Sequence, residues 1–125
     1  MSVRYLSLED LLALANDLGQ LVVRDVGLLD SAAHRPQSTV FGEDAYESIH
    51  QKAAVLLESI LTNHPLVDGN KRLGWLSVYA FYGLNGYTLD APDDAAYDLV
   101  IAVASGNVGY RVAADALAEW VIGDC

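Results

Sequence analysis

The sequence predicts an all-α fold with at most one small β-hairpin. Apolar residues recur at helical spacing in several segments, and cap residues, glycine or proline bound most of these segments. The stretch QSTVFGED (37–44) differs, because a β-branched and aromatic patch precedes a glycine, which is typical of an exposed loop or hairpin. The chain has 125 residues and no visible repeat or linker, so a single domain covering residues 1–125 is expected.

Helical signals begin close to the N-terminus. Ser7 is expected to open the first helix, because Asp10 follows three residues later as in a capping box. Apolar residues continue at helical spacing as far as Val22, and Gly27 is expected to end the segment. A short helical turn is predicted at 28–35, just before a proline.

Four longer helices are predicted in the rest of the chain. They cover about 44–62, 70–84, 92–105 and 111–122. Pro65 ends the first of them, since a proline disfavours helical geometry at the preceding residue. The second has almost no polar face, which predicts a buried, central helix. Its aromatic residues, together with Trp120 in the last helix, are therefore expected in the core: Trp75, Tyr79 and Tyr82.

Composition argues against several functional classes. The formal net charge of −10 repels nucleic-acid phosphates, so direct binding of nucleic acid is not expected. No apolar run reaches the roughly 18–20 residues of a membrane span, and the start of the chain lacks the features of a signal peptide. Cys125 is the only cysteine, so neither a disulfide framework nor a cysteine metal site is expected. We therefore expect a cytoplasmic protein without membrane contact.

The stretch HPLVDGNKRLGW (64–75) contains an unusual placement of charge. Lys71 and Arg72 fall in the first turn of a predicted helix, where the helix dipole disfavours cations. Backbone N–H groups at a helix start form an anion site together with that dipole, and Gly69 allows a ligand to approach closely. A bound polyphosphate would make both cations useful as counterions, so the pattern predicts a phosphate-binding loop.

Two residues on the N-terminal side of this loop add chemistry. Asp68 supplies a carboxylate, which beside bound phosphates is a natural ligand for Mg²⁺. His64 can take up a proton near neutral pH. Together they predict a group-transfer site that acts on an incoming hydroxyl. An ordinary helix start is the alternative, with Asn70 as its N-cap and the cations reaching into solvent. The stretch is not a Walker A loop, which requires GxxxxGK[ST].

The same stretch resembles the signature of the Fic/Doc family, HxFx(D/E)(G/A)N(G/K)RxxR. Five residues fall in register with it: His64, Asp68, Gly69, Asn70 and Arg72. The resemblance to the short, Doc-type branch continues along nearly the whole chain. It includes GLLDSAAHRPQ (27–37), YESIHQKAAVLLESILTNHP (46–65) and AFYGLNGYTLD (80–90).

This resemblance implies a Fic-like helical bundle, with the motif loop between two core helices, that uses ATP and Mg²⁺. His64 would be the general base on a target hydroxyl, and Asp68 would hold Mg²⁺. The phosphate nest would consist of Gly69, Asn70, Lys71 and Arg72. A flap would align a target segment by β-strand addition, and it would contain Thr39, Val40 and Phe41.

Two positions, 75 and 66, depart from the family pattern, and position 71 has the Lys that the pattern allows in place of its usual Gly. Trp75 replaces the second Arg, which holds the ATP γ-phosphate in AMP-transferring members; Lys71 replaces the second Gly; and Leu66, expected in the core, replaces Phe. The Doc branch shares the Lys and lacks the second Arg. Its members are similar to kinases: they bind ATP reversed and transfer the γ-phosphate to a threonine of translation elongation factor Tu. The resemblance thus implies phosphoryl transfer that inhibits translation.

Two other functions stay open. One is AMP transfer to a target protein, against which Lys71 and Trp75 argue, and the other is a catalytically weak binding protein that keeps the fold. Doc-type proteins are toxins of toxin–antitoxin pairs, so the expected partner is a Phd-type antitoxin whose disordered segment folds onto the toxin. The chain shows no inhibitory [ST]xxxE[GN] helix motif, so regulation from outside is expected.

Overall fold

A computed structural model describes residues 2–123 and confirms the predicted all-α fold class. Its helices are α1 (Leu8–Asp17), α2 (Val26–His34), α3 (Ile49–Asn63), α4 (Asn70–Leu84), α5 (Asp93–Ala104) and α6 (Tyr110–Trp120), with a 3₁₀ turn at Arg35–Gln37. Two antiparallel sheets join β1 (Thr39–Val40) to β2 (Glu43–Asp44) and β3 (Tyr87–Leu89) to β4 (Val121–Gly123). Cys125 lies outside the described residues. Within them, no helix has both the length and the apolar character needed to cross a bilayer.

The first helix begins as predicted and ends earlier than predicted. Ser7 Oγ accepts from the Asp10 backbone N–H at 3.1 Å, and an Asp10 carboxylate oxygen accepts from the Ser7 N–H at 2.9 Å, which completes the capping box. The expected end at Gly27 is wrong, because the chain turns out of the helix at Gly19 and Gln20, which both have positive φ. Val22 continues the helical spacing of apolar residues only by chance, because it lies outside the helix and is exposed.

The third helix starts later than predicted because a hairpin occupies the preceding residues. Thr39 pairs with Asp44, and Val40 with Glu43, so the predicted hairpin is confirmed and helix α3 cannot begin at residue 44. Ser48 caps α3 instead, its hydroxyl accepting from the Gln51 N–H at 3.0 Å. The helix packs against α2, α4 and α6 and is buried on almost every side.

Helix α4 has the predicted limits, and most of it is central. Tyr82 is completely buried, but the expectation that every aromatic residue of α4 lies in the core is wrong for Tyr79, which is 49% exposed. Trp75 is half-buried and meets the Trp120 ring edge-on, with 6.5 Å between the ring centroids. The side of α4 that carries Trp75 and Tyr79 borders an open groove, so this almost entirely apolar helix keeps one exposed face.

The end of the last helix also differs from prediction. Helix α6 stops at Trp120, and the two β-branched residues that follow adopt an extended conformation as β4. Val121 pairs with Leu89, and the Asp90 N–H donates to the Trp120 carbonyl at 2.8 Å. This second sheet was not predicted, because its two strands are about thirty residues apart and neither is amphipathic on its own.

One polar pair crosses the core between α3 and α4. His50 Nδ1 lies 2.8 Å from the Tyr82 hydroxyl. Burial raises the pKa of Tyr82, an effect that nearby Tyr87 adds to, and burial lowers the pKa of His50. Since each shift favours the uncharged form, the pair is neutral in the folded protein near neutral pH.

Acidification should lower the stability of the fold through His50. Its pKa is lower in the folded state than its unfolded value of about 6.5, so the unfolded chain gains a proton first as the pH falls. The free energy of unfolding, measured by urea denaturation, should therefore decrease between pH 7.5 and 5.5, and less so in His50→Gln. His34→Gln, which alters an exposed histidine, should behave like the wild type. If the free energy of unfolding of His50→Gln decreased as much as that of the wild type, the pH dependence could not be assigned to His50.

Candidate active site

The loop between α3 and α4 starts at His64, whose backbone conformation is unusual. This residue caps the C-terminus of α3 with a φ of 50°, in the left-handed region. Such a conformation costs energy in a non-glycine residue, although histidine adopts it more readily than branched residues. Arg24 stabilises it, since its Nε donates to the His64 carbonyl at 2.8 Å and its Nη2 to the Asn63 carbonyl at 2.9 Å. The His64 side chain is left exposed.

The segment before α2 also contacts this loop through backbone hydrogen bonds. Val23 forms an antiparallel bridge with Leu66, and the Arg24 N–H donates to the Pro65 carbonyl at 2.7 Å. Leu66 is buried in the core as predicted. Arg24 was not predicted from the sequence as part of the site. Its only signal in the sequence was that it is one of seven lysines and arginines in an acidic chain.

Asn70 closes the loop with its side-chain amide. Its Oδ1 accepts from the Leu66 N–H at 2.9 Å, and its Nδ2 donates to the Leu66 carbonyl at 3.0 Å. The same Nδ2 faces His64 Nδ1 at 3.4 Å, a distance too long to fix one tautomer of the imidazole. The alternative interpretation of Asn70 as an N-cap is wrong, because Gly69 occupies that position.

A side chain at Gly69 would be strained by the backbone conformation and would require Leu21 to move. The φ of Gly69 is 88°, and a Cβ built on it would lie 2.6 Å from Leu21 Cδ1. Its N–H donates to Asp68 Oδ1 at 2.8 Å. No side chain among the described residues caps α4, so the N–H groups of its first turn are left for another acceptor.

The predicted catalytic, metal and phosphate residues come together around one cavity of about 330 Å³. Its walls contain His64, Asp68, Gly69, Asn70, Lys71 and Arg72, with Leu61, Val67 and Ala104. Lys71 and Arg72 are exposed, and within residues 2–123 neither has a carboxylate partner. The residues predicted as the flap do not line this cavity, and instead form the separate hairpin of β1 and β2.

A larger and mostly apolar groove of about 760 Å³ adjoins the cavity. The two share Lys71 and Arg72. Helices α1, α4 and α5 supply the other walls of the groove, which contain Leu18, Trp75, Leu76, Tyr79, Asp93, Ala96, Tyr97 and Val100. A molecule seated in this groove would therefore contact both cations of the cavity.

Comparison with known proteins decides the family. The model of the Fic/DOC family matches residues 5–82, which include α1 to α3, the loop and most of α4. The chain belongs to the Fic/Doc family. It is also similar to Toxin Doc of Mycolicibacterium smegmatis, with 49% identity over 105 residues that cover 81% of each chain. The resemblance seen in the sequence is thus confirmed.

One departure from the Fic/Doc signature is visible in the structure. Trp75, at the position of the second family Arg, is half-buried against Trp120 and lines the apolar groove. Lys71 and Arg72 supply positive charge in the wall of the cavity. Charge is therefore concentrated in the first turn of α4, and the next turn presents an indole ring.

Asp68 could hold a divalent cation only together with other ligands. The described residues contain no group of three or more His, Cys, Asp or Glu able to hold a metal ion. Mg²⁺ commonly binds through one or two carboxylates and completes its coordination with phosphate oxygens and water. One exposed carboxylate, Asp68, beside a cationic loop fits this mode, in which phosphate oxygens and water supply the other ligands.

Replacing Gly69 with alanine should destabilise the protein. The positive φ and the contact with Leu21 make the substitution cost about 1–3 kcal/mol. Gly83→Ala is the matched control, since it lies in α4 with open space around the added methyl group, and it should be neutral or stabilising by up to about 1 kcal/mol. Urea denaturation of both variants measures the difference. Equal stability of the two variants would contradict the assigned role of Gly69.

Proposed function

We propose that this protein is a Doc-like toxin of a toxin–antitoxin pair and that it phosphorylates a protein target using ATP and Mg²⁺. The observation that carries the proposal is the pair of cations, Lys71 and Arg72, which have no carboxylate partner among residues 2–123 and lie beside the exposed His64. Membership of the Fic/Doc family and the 49% identity to a protein named Toxin Doc support it. The first candidate target is a threonine of translation elongation factor Tu.

The residues of the cavity have complementary tasks in this reaction. His64 takes the proton from the target hydroxyl as its oxygen attacks the terminal phosphorus of ATP and ADP departs. Lys71 and Arg72 hold the phosphates and offset the charge that builds up on them during transfer. Asp68 would hold Mg²⁺, which supplies further charge neutralisation when bound. Asn70 and Arg24 keep the loop in the conformation that presents His64.

The position of positive charge favours phosphoryl transfer over AMP transfer. In the AMP-transfer pose, the γ-phosphate of ATP would lie near the second family Arg, where this chain has Trp75. An indole ring provides no counterion for that phosphate, while Lys71 adds one close to His64. The terminal phosphate is therefore better stabilised beside the general base. AMP transfer remains the alternative reaction, and a catalytically weak binding protein is the alternative from another class.

The hairpin of β1 and β2 is the proposed docking site for the protein target. Within the described chain, β1 pairs only with β2, which leaves its other edge open to an added strand. Thr39, Val40 and Phe41 are all exposed, and the Phe41 side chain at the tip is fully so. A target segment could pair with the strand and bury this ring.

The proposed partner is an antitoxin of the Phd type. A disordered segment that folds onto the toxin could lay an apolar face into the groove between α1, α4 and α5. Because the groove shares Lys71 and Arg72 with the cavity, such a segment would compete with phosphate for both cations. Action on an elongation factor would place the toxin in the cytoplasm.

A transfer assay with labelled ATP tests the reaction. Purified protein is mixed with Mg²⁺, elongation factor Tu and ATP labelled at either the α- or the γ-phosphate. Label should reach the elongation factor from the γ-position only, because the terminal phosphate lies nearest the base in the proposed pose. Label from the α-position would establish AMP transfer instead. Transfer from neither position would leave the binding protein as the better proposal.

His64→Ala should slow transfer by about 10²–10⁴-fold, since it removes the general base. Nucleotide binding, measured by calorimetry, should stay close to that of the wild type, because the phosphate contacts come from the start of α4. His34→Ala, which removes an exposed histidine of α2, serves as the control and should keep full activity. Wild-type transfer by His64→Ala would rule out the assigned role of this residue.

A further inference from the structure

We propose that Lys52 and Arg35 are positioning residues for the protein substrate. They act by holding the hairpin of β1 and β2 at a fixed place relative to His64. This inference rests on the proposed function, since it concerns the surface on which the target would dock. It extends that function to two residues that do not line the cavity and would touch neither phosphate nor hydroxyl.

Lys52 holds the chain where it leaves the hairpin. Its side chain is only 1% exposed, and its ammonium group donates to Asp44 Oδ2 at 3.1 Å and to the Tyr46 carbonyl. An ammonium group in the interior is costly unless it is paired and hydrogen-bonded. Movement of β2 away from α3 would leave this charge without partners, so the end of the hairpin is held in place.

Arg35 holds the chain just before the hairpin. Its Nη1 lies 2.8 Å from Glu58 Oε1 and donates to Ser59 Oγ at 3.1 Å, and both partners belong to α3. Its Nε donates to the Tyr46 hydroxyl at 3.1 Å, and its guanidinium lies over the ring of that tyrosine at 5.5 Å. The first strand is thus fixed to the same helix as the second.

Tyr46 connects the two anchors. Its carbonyl accepts from Lys52, its hydroxyl accepts from Arg35, and its ring meets Tyr110 of α6 edge-on at 5.2 Å. The hairpin is also closed at its base by the bond from the Ala45 N–H to the Ser38 carbonyl, 2.9 Å. Both ends of the hairpin are therefore tied to each other and to the core.

Helix α3 carries Lys52 and the partners of Arg35, and His64 is the residue that caps its C-terminus. Lys52 precedes His64 by twelve residues, which is about 18 Å along a helix, and Ser59 precedes it by five, about 8 Å. Because one buried helix carries Lys52 and the partners of Arg35 and leads directly into the base, the distance from the docking edge to the base is set before the target arrives. Such pre-organisation lowers the entropic cost of aligning a substrate.

Three variants test the anchors against a matched control. Lys52→Met removes the ammonium and keeps an unbranched stem. The Asp44 carboxylate that loses its partner is half exposed, so water can solvate it and the substitution leaves no buried charge unpaired. Asp44→Asn weakens the same pair from its exposed side, and Glu58→Gln weakens the Arg35 pair. Glu43→Gln changes the neighbouring exposed carboxylate of β2, which has no ion-pair partner among the described residues, and is the control.

The first measurement reads the position of the hairpin directly. Nitroxide labels are attached at Val40→Cys in the hairpin and Val67→Cys in the active-site loop, both exposed, with Cys125→Ser to remove the native thiol. Electron-spin distance measurements should show a narrow distribution in the parent protein and in Glu43→Gln. The distribution should broaden in the three anchor variants. An unchanged distribution in Lys52→Met and Glu58→Gln would overturn the inference whatever reaction the protein catalyses.

The second measurement links the anchors to the substrate. In the transfer assay, the anchor variants should raise the KM for the protein target about threefold or more, while the KM for ATP stays at the wild-type value. Anchor variants with a loosened hairpin and an unchanged target KM would show that the anchors are structural only, and would also overturn the inference. A wild-type protein that transfers no label would refute the proposed function instead, and the distance measurement would then decide alone whether the anchors hold the hairpin.

Discussion

The site depends on one constraint, which is that the loop between α3 and α4 must expose His64 and bury Leu66 two residues later. Both helices are largely buried, so the loop cannot relax by moving either of them. The side chain of Asn70 resolves the conflict by bonding to both backbone groups of Leu66. At the start of the loop, Arg24 donates hydrogen bonds to the carbonyls of Asn63 and His64. With both held, the imidazole points away from the core.

The distribution of positive charge follows from this arrangement. The chain has only seven lysines and arginines against seventeen acidic residues. Arg24, Arg35 and Lys52 bind backbone carbonyls or carboxylates that fix the loop and the hairpin. Lys71 and Arg72 stand at a helix start, where the dipole opposes them. In the described part of the chain neither cation has a carboxylate partner, which is understandable if an anion joins them, and the cavity beside them has room for one.

The cavity and the apolar groove give the protein two kinds of surface that meet at the same cations. Trp75 belongs to the groove, whereas a second arginine at that position would have extended the cavity. In the proposed function, this one difference would change where phosphate is stabilised, and the indole ring adds to the apolar surface next to the cavity. A ligand of the groove and a ligand of the cavity would compete for Arg72 and Lys71, which is a direct physical route from partner binding to inhibition.

Local signals in the sequence determined several parts of this protein. The capping box at Ser7 and the limits of α4 depend on neighbouring residues only, and so do the hairpin near Val40 and the motif from His64 to Arg72. They could be predicted because cap residues, turns and helical spacing act over a few positions.

The tertiary structure alone decided the rest. The early end of α1 freed the segment that pairs with Leu66, and β4 formed because β3 was there to pair with it. The functions of Arg24 and Lys52 depend on partners that the fold brings to them. The partner of Arg24 is forty residues away in the sequence. Lys52 meets Asp44 only when the hairpin packs over it. A side chain that acts through a distant partner has no local pattern, because its energy comes from a contact that exists only after folding.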